Sequence, residues 1–277
     1  MLNNFYIEKH IKAALNEDIG FGDITTDYLT SDKDDMTCEL NSRSEGIFCG
    51  KTVFETVFKV LSERVEVKFF KNDGDKISKG ERIAVISGPA KYILMGERTA
   101  LNYIQRMSGI ATETNKYQAA IGEYKAKIAD TRKTTPLFRA FEKYAVKTGG
   151  GSLHRFNLSD CAMIKDNHIK YAGSLTKAVE RLKKNISHAH KIEVECDNFE
   201  QVKEALECKA DIIMLDNMTT DEMKKCVEYV NGRAIVEASG NVNLETVRDI
   251  AATGVDIISS SAIVAKAPTL DLGLDCK

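Results

Sequence analysis

Two apolar segments of this 277-residue chain end in cationic side chains. The segment 127–133 (KIADTRK) ends in Arg132 and Lys133, and the segment 161–167 (CAMIKDN) carries Lys165 near its end. A buried charge without a partner is costly, so charges that close buried strands indicate function. Arginine binds a planar carboxylate through two parallel hydrogen bonds, and lysine acts as a point charge for phosphate. The segments therefore predict a site for a ligand with several negative groups.

The later apolar segments end first in single carboxylates and then in small polar residues. Glu195 and Asp216 close two of them, and the turns Ser239–Asn241 and Ser259–Ser261 close the last two. Mg²⁺ prefers one or two carboxylates together with substrate oxygens, while a carboxylate can also stabilise an oxocarbenium-like carbon. Backbone N–H groups in such polar turns can bind a phosphate. Both roles of the acids, metal ligand and ribose contact, remain open from the residues alone.

The segments that carry these residues alternate with amphipathic helices. We predict strands at 127–133, 161–167, 191–197, 211–217, 233–241 and 255–261, and helices at about 174–185, 198–208, 220–230 and 243–253. Such alternation predicts right-handed βαβ units and a parallel sheet. Because no GxGxxG or P-loop follows the first strand, a barrel is favoured over a dinucleotide-binding sheet. Chemistry in barrels occurs at the carboxyl ends of the strands, so we predict an α/β barrel, with fewer than eight strands allowed.

The first hundred residues predict a smaller domain of mixed α and β structure. Its opening helix ends at Gly20 and Gly22. Two helical patterns, 90–107 and 111–123, are separated at Ser108–Gly109, where we expect a break. The remaining predicted elements are strands at 35–43, 64–70 and 82–87 and a helix at 51–62.

A short helical pattern at 137–147 lies between the first two strands of the predicted barrel. Lys143 and Lys147 are four residues apart on it, and we expect both to face water. His154 follows the glycines Gly149–Gly151, a placement that favours a functional histidine over one that only packs.

Composition excludes several classes of protein. The formal net charge of −2 gives no global attraction to nucleic acid or to an anionic membrane. Seven scattered cysteines without a CxxC pair predict neither a disulfide framework nor a zinc site. No apolar run is long enough to span a bilayer, and the first twenty residues do not read as a signal peptide. We therefore expect a cytoplasmic protein in a reducing compartment.

The stretch from Asp130 to His168 resembles quinolinate phosphoribosyltransferase, also called carboxylating nicotinate-nucleotide pyrophosphorylase. Its specific part reads DTRKTTP, followed in order by EKYAV, GGG, HR and IKDNH. The resemblance extends in order over nearly the whole chain, through EDIGFGDITT at 17–26, GERTALN at 96–102, MSGIAT at 107–112, IEVEC at 192–196, LDN at 215–217 and EASGNV at 237–242.

The resemblance implies an activity and a set of residues. The implied reaction joins quinolinate and phosphoribosyl pyrophosphate, with Mg²⁺, into nicotinate mononucleotide, pyrophosphate and CO₂ in NAD biosynthesis. The implied catalytic residues are Lys133, Lys165, Glu195 and Asp216, of which the two acids would also bind the metal. Quinolinate would be held by Thr131, Arg132, His154, Arg155 and, from the partner subunit of a homodimer, Arg98. The 5′-phosphate would be bound by Ser239, Gly240, Asn241, Ser260, Ser261 and Ala262.

The resemblance also implies the α/β fold and its division. It predicts an open α/β sandwich domain at 1–108, joined by the C-terminal tail 266–277, and an incomplete (β/α) barrel at 109–265. The chain departs from the family at three places: Leu137-Phe138 stands for Gly-Leu, Leu153 for Asn, and Ser261 for a glycine. These departures concern the detail of the site more than the reaction.

Three alternatives remain open from the sequence. A paralogue of the same fold, associated with molybdenum transport, would lack the intact segment Lys165–His168, which this chain keeps. A Schiff-base aldolase would use Lys133 or Lys165 as an amine nucleophile, and borohydride with a carbonyl substrate would trap it. A non-catalytic phosphate sensor would bind ligand without turnover.

Overall fold

The computed structural model describes residues 2–31 and 33–276. The chain divides into two compact units. The first consists of Met1–Asn115, Pro136–Gly150 and Ala267–Lys277, and the second of Lys116–Thr135 and Gly151–Lys266. Among the described residues, none of the helices is both long enough and apolar enough to cross a membrane.

An antiparallel sheet of four strands organises the first unit. Its strands are β1 (Asp35–Ser42), β3 (Glu66–Phe69), β5 (Arg82–Pro89) and β12 (Leu272–Cys276), which lie in the order β12, β1, β5, β3. A separate ribbon pairs β2 (Gly46–Ile47) with β4 (Lys76–Ile77). The last strand of the chain thus completes a sheet that begins near residue 35.

The helices of the first unit bury apolar stripes at helical spacing. Ile7, Ile11 and Leu15 are the buried residues of α1. This helix starts where the Asn3 side chain accepts the Tyr6 N–H. The helix Lys51–Leu61 likewise buries one face, formed by Val53, Phe54, Val57 and Phe58. The helices that begin in this unit are α1 (Asn4–Ile19), α2 (Thr26–Leu29), α3 (Lys51–Leu61), α4 (Ala90–Ile121) and α5 (Arg139–Thr148).

The helix α4 runs without interruption through Ser108 and Gly109, so the predicted break is wrong. A Cβ on Gly109 would lie 1.9 Å from the carbonyl oxygen of Pro268. The Ser108 hydroxyl accepts the Cys49 N–H at 2.9 Å and donates to the Cys49 carbonyl at 3.1 Å. These two residues are small because other backbone segments pack directly on the helix, not because the helix ends there.

A disulfide between Cys38 and Cys276 contradicts the expectation of no disulfide. The two residues are direct cross-strand partners in the β1–β12 pair. Their separation of 238 residues hid this proximity from sequence reasoning. The free cysteines are Cys49, Cys161, Cys196, Cys208 and Cys226.

Lys143 is fully buried, so the expectation that it faces water is wrong, whereas Lys147 is exposed. Glu142 and Lys143 are buried on α5 together with Phe141, Ala145 and Val146. Glu142 accepts a hydrogen bond from Arg106 at 2.9 Å. Tertiary packing therefore buries this part of α5 together with its charges.

A parallel sheet of six strands organises the second unit and confirms the predicted incomplete barrel. The strand order is β6, β11, β10, β9, β8, β7. Their bounds are β6 (Lys127–Ala129), β7 (Ala162–Ile164), β8 (Ile192–Cys196), β9 (Ile212–Asp216), β10 (Ile235–Ser239) and β11 (Ile257–Ser259). Ser152 adds a single parallel bridge to Ala129 at the outer edge of β6.

Helices connect these strands as the alternation predicts. Capping side chains start three of them: Ser174, Asn198 and Thr219 each accept a backbone N–H of the following turn. The bounds are α6 (Asp166–Ala172), α7 (Leu175–Asn185), α8 (Phe199–Glu207), α9 (Thr220–Val230), α10 (Val247–Ala252) and α11 (Ala262–Ala265). Since all six strands run in one direction, their carboxyl ends meet at one edge of the sheet.

Candidate active site

A cavity of about 430 Å³ opens at the carboxyl edge of the parallel sheet. All of its lining belongs to the second unit. The predicted residues that line it are Thr131, Arg132, Lys133, His154, Arg155, Lys165, Glu195, Asp216 and Ser239. The structure thus brings the predicted cations together with the two predicted acids.

Four further residues line the cavity: Met163, Met214, Asn217 and Ser259. Asn217 and Ser259 belong to the polar strand ends named from the sequence, so sequence reasoning missed the two methionines. The signal for the methionines was available. Successive side chains of a strand point to opposite faces, so residues two positions before a strand-end site residue share its face. Met163 precedes Lys165 by two residues, and Met214 precedes Asp216 by two. They supply apolar surface against which an aromatic ring can pack.

Lys165 forms the central ion pair of the cavity. Its Nζ lies 2.5 Å from Glu195 Oε2, and the two side chains are 43% and 17% exposed. Lys165 immediately precedes α6, and its backbone N–H donates to His168 Nδ1 at 3.0 Å. The histidine of the IKDNH motif therefore caps this helix and fixes the backbone that carries Lys165.

Asp216 lies in a negative environment that favours a cation. Burial raises the pKa of its carboxyl, and the charges of Glu195 and Asp197 raise it further. The Asn217 side chain donates to its Oδ2 at 2.8 Å. β8 and β9 are neighbouring strands, so the ends that carry Glu195 and Asp216 are adjacent. Two adjacent carboxylates that repel each other are a donor set suited to Mg²⁺.

The residues predicted to bind phosphate occupy two turns, and of them only Ser239 lines the cavity. Gly240 has φ +94°, and a Cβ there would lie 2.2 Å from Asn217 Oδ1; this oxygen also accepts from Asn241 at 3.3 Å. In the other turn, the Ser260 N–H donates to the Ala129 carbonyl and the Ala262 N–H to the Ser260 hydroxyl. These N–H groups have partners within the protein, and phosphate binding by the turns stays a prediction.

Two residues of the first unit bear on the site predictions. Arg98 is exposed on α4. Leu137, which stands where the family resemblance implies glycine, has φ +63° and an exposed side chain. Residues other than glycine, asparagine and aspartate rarely adopt this left-handed conformation, so the observed backbone explains why glycine suits position 137.

Comparison with known proteins gives one family over nearly the whole chain. The family model described as quinolinate phosphoribosyl transferase, N-terminal domain, matches residues 23–108, and that of the C-terminal domain matches residues 110–275. A probable nicotinate-nucleotide pyrophosphorylase (carboxylating) of Bacillus subtilis is 40% identical over 274 residues, which are 99% of this chain and 94% of the relative.

A more distant relative in sequence and a solved structure indicate the same family. The quinolinate phosphoribosyltransferase (decarboxylating) 2b, mitochondrial, of Nicotiana tabacum is 38% identical over 97% of this chain and 81% of its own. The crystal structure of nicotinate-nucleotide pyrophosphorylase from Ehrlichia chaffeensis matches with a TM-score of 0.94 at 42% identity, covering 100% of both chains.

Proposed function

The chain belongs to the quinolinate phosphoribosyltransferase family, and from this premise we propose how its cavity performs the family's reaction. The enzyme transfers the phosphoribosyl group of phosphoribosyl pyrophosphate to quinolinate with decarboxylation, giving nicotinate mononucleotide, pyrophosphate and CO₂ for NAD biosynthesis. One observation carries the proposed assignment: Arg132, Arg155 and Lys165 line the same cavity as Glu195 and Asp216.

The cationic side of the cavity binds quinolinate. Arg132 and Arg155 pair with the two ring carboxylates, with Thr131 beside them, while the thioether side chains of Met163 and Met214 pack against the ring. Lys133 and Lys165 lie between quinolinate and phosphoribosyl pyrophosphate and contact both substrates. Fixing the ring in this way aims its nitrogen at the ribose, and such orientation supplies a large part of a bimolecular rate enhancement.

The acidic side of the cavity stabilises the ribose carbon at which the reaction takes place. When its bond to pyrophosphate breaks, positive charge develops on this carbon, and the carboxylates of Glu195 and Asp216 stabilise it. The quinolinate nitrogen then forms the new bond and becomes a pyridinium. This cation accepts the electron pair of the adjacent carbon–carboxylate bond as CO₂ leaves, and a proton takes the vacated position on the ring.

Glu195 and Asp216 are also the residues that would hold Mg²⁺. Their repulsion and the raised pKa of Asp216 favour a bound cation. Held by these two acids, Mg²⁺ would supply positive charge to offset the negative charge that develops on the leaving pyrophosphate. Ser239 and the turns that follow β10 and β11 are assigned to the 5′-phosphate, at the late strands where barrels commonly bind one.

An amine-nucleophile reaction is disfavoured for Lys165. Its Nζ donates a hydrogen bond to the Glu195 carboxylate at 2.5 Å, and this contact occupies the nitrogen that a Schiff base would need.

The direct test is a turnover assay. With quinolinate, phosphoribosyl pyrophosphate and Mg²⁺, we expect stoichiometric release of nicotinate mononucleotide, pyrophosphate and CO₂. Chelation of the metal with EDTA should stop turnover, and added Mg²⁺ should restore it. Nicotinate in place of quinolinate is the matched control, because it lacks the carboxylate that leaves. Ligand binding without product would contradict the proposed function and favour a sensor.

The active form is proposed to be a homodimer in which Arg98 completes the partner's cavity. Support comes from the family motif GERTALN at 96–102 and from the exposure of this arginine on α4. A charged side chain exposed on a helix is available to a second copy of the chain, and twofold dimers exchange equivalent residues reciprocally.

Subunit mixing tests this arrangement. Arg98→Ala and Lys165→Ala should each be nearly inactive alone. In a mixed dimer, one site keeps its own Lys165 and receives Arg98 from the partner, so random re-association should restore about a quarter of wild-type activity. Mixing Arg98→Ala with an Arg98→Ala, Lys165→Ala double variant is the control and should restore nothing. Absence of recovery in the first mixture, with dimers present, would refute a shared site.

A cytoplasmic location is also proposed. Burial raises the pKa of the free Cys161 thiol to about 11 and of the free Cys196 thiol to about 12, so both remain protonated and weakly reactive. A set of free thiols is typical of a reducing compartment. The Cys38–Cys276 pair would there be subject to reduction.

A further inference from the structure

Two buried acids lie one layer beneath the floor of the cavity. Glu193 and Glu237 are 1% and 4% exposed. They stand two residues before Glu195 and Ser239 on β8 and β10, so they share the inward face of those strands. Their Oε1 atoms lie 3.3 Å and 3.4 Å from Nε2 of His154, whose side chain is 9% exposed. Both acids therefore meet at a single ring nitrogen.

The hydrogen bonds of His154 identify which of its nitrogens carries a hydrogen. The backbone N–H of Arg155 lies 2.7 Å from Nδ1. An N–H group can only donate, so Nδ1 is the acceptor and the ring hydrogen is on Nε2, directed at the two carboxylates. A metal ion would need the lone pair of Nε2, so this geometry disfavours reading the histidine and two glutamates as a metal site.

The same contacts fix the backbone that carries Arg155. The His154 N–H donates to Asp130 Oδ1 at 2.8 Å, and Asp130 is fully buried directly after β6. The Arg155 guanidinium then donates to the Cys161 carbonyl at 2.9 Å. Arg155 is thus connected through His154 to acids on β8 and β10 and at the end of β6.

Burial of two carboxylates beside each other is unfavourable unless they have partners. Burial, the charge of Glu193 and, least, the charge of Asp130 raise the pKa of Glu237, whereas His154 and the Ser259 hydroxyl lower it; the net pKa is about 7. Apolar residues would fill the same space more stably. Contact with His154 Nε2, as a hydrogen bond to Glu193 Oε1 and as a charge contact with Glu237 Oε1 at 3.4 Å, distinguishes these acids from an apolar filling.

We propose that Glu193 and Glu237 are positioning residues, which hold the His154 ring and thereby present Arg155 to a quinolinate carboxylate. The proposal rests on the assignment of Arg155 to quinolinate made above. It adds two residues that do not themselves contact the substrate and that act only on the quinolinate half of the site.

The test compares the two Michaelis constants in Glu193→Gln and Glu237→Gln, which conserve volume. We expect KM for quinolinate to rise about ten- to a hundredfold, since a small displacement of an orienting group has effects of this size. KM for phosphoribosyl pyrophosphate should change less than about twofold, because that half of the site keeps its contacts. Glu180→Gln, at an exposed position of α7, is the matched control.

A double-mutant cycle separates positioning from a general structural role. Glu237→Gln should have almost no additional effect in a His154→Ala background, because its action passes through that ring.

The outcomes are distinct. Equal increases in both Michaelis constants, or additive effects in the cycle, would overturn the proposal and leave the acids with a structural role. Wild-type turnover with unchanged quinolinate KM in both glutamine variants would overturn it as well. Failure of the wild-type enzyme to use quinolinate would instead refute the proposed function. If one glutamine variant fails to fold, the other decides, because both acids contact the same ring nitrogen and the expected result is the same for both.

Discussion

Replacement of Lys165 by alanine should lower kcat for quinolinate about a hundred- to a thousandfold, the range found when one preorganised charge or donor is removed from a transition-state site. In the structure its ammonium is paired with Glu195 at 2.5 Å. Without it, Glu195 and Asp216 would face a dianionic substrate with one cation fewer between them. Steady-state kinetics with each substrate varied in turn would measure the loss.

The control for this variant is Lys170→Ala. Lys170 is on α6, which directly follows Lys165, and its side chain is 74% exposed and paired with Asp166. The same change in net charge at that position should leave kcat within about twofold, since isolated exposed ion pairs contribute little. A Lys165→Ala enzyme with kcat close to that of this control would remove Lys165 from the mechanism.

The second large effect is expected for Arg132→Ala. We expect kcat/KM for quinolinate to fall by about a hundredfold or more, because loss of one member of a desolvated, hydrogen-bonded charge pair costs about 2–5 kcal/mol. Arg132→Lys should recover only part of the loss, since lysine keeps the charge but cannot form two parallel hydrogen bonds with a carboxylate.

Arg181→Ala is the matched control for Arg132, because Arg181 is an exposed arginine of α7 in the same unit and does not line the cavity. Its kcat/KM should equal that of the wild-type enzyme. Full recovery of activity in Arg132→Lys would show that charge alone is sufficient and would contradict bidentate binding at this position.

The parallel sheet and the cationic edge of the site were predictable because their signals are local. Each strand carries its apolar run and its terminal polar residue within about seven positions, as at Arg132 and Lys165, and the topology of parallel strands brings these ends together. The acids Glu195 and Asp216 follow from the same rule. Glu193 and Glu237 lie two residues before the strand ends, so a rule based only on strand ends does not identify them.

The errors involve contacts between segments that are distant in sequence. Position 109, in the middle of a helix, is a glycine because Pro268 packs against it, and no local sequence pattern distinguishes such a glycine from one that ends a helix. Cys38 pairs with Cys276 because the last strand lies beside the first. Lys143 and Lys147 are four residues apart on α5, yet tertiary packing buries Lys143 and leaves Lys147 exposed, a difference that their spacing does not predict.

The position of β12 after all the strands of the parallel sheet has a consequence for biosynthesis. The first sheet needs residues 272–276 for its fourth strand, so the growing chain cannot complete this sheet until the whole parallel sheet has been translated. At about 5–20 residues per second, translation of the 234 residues that separate Ser42 from Cys276 takes about 12–47 s, during which one edge of β1 is unpaired while the strands of the parallel sheet are translated. The whole sequence of the second unit is thus translated before the sequence of the first unit is complete.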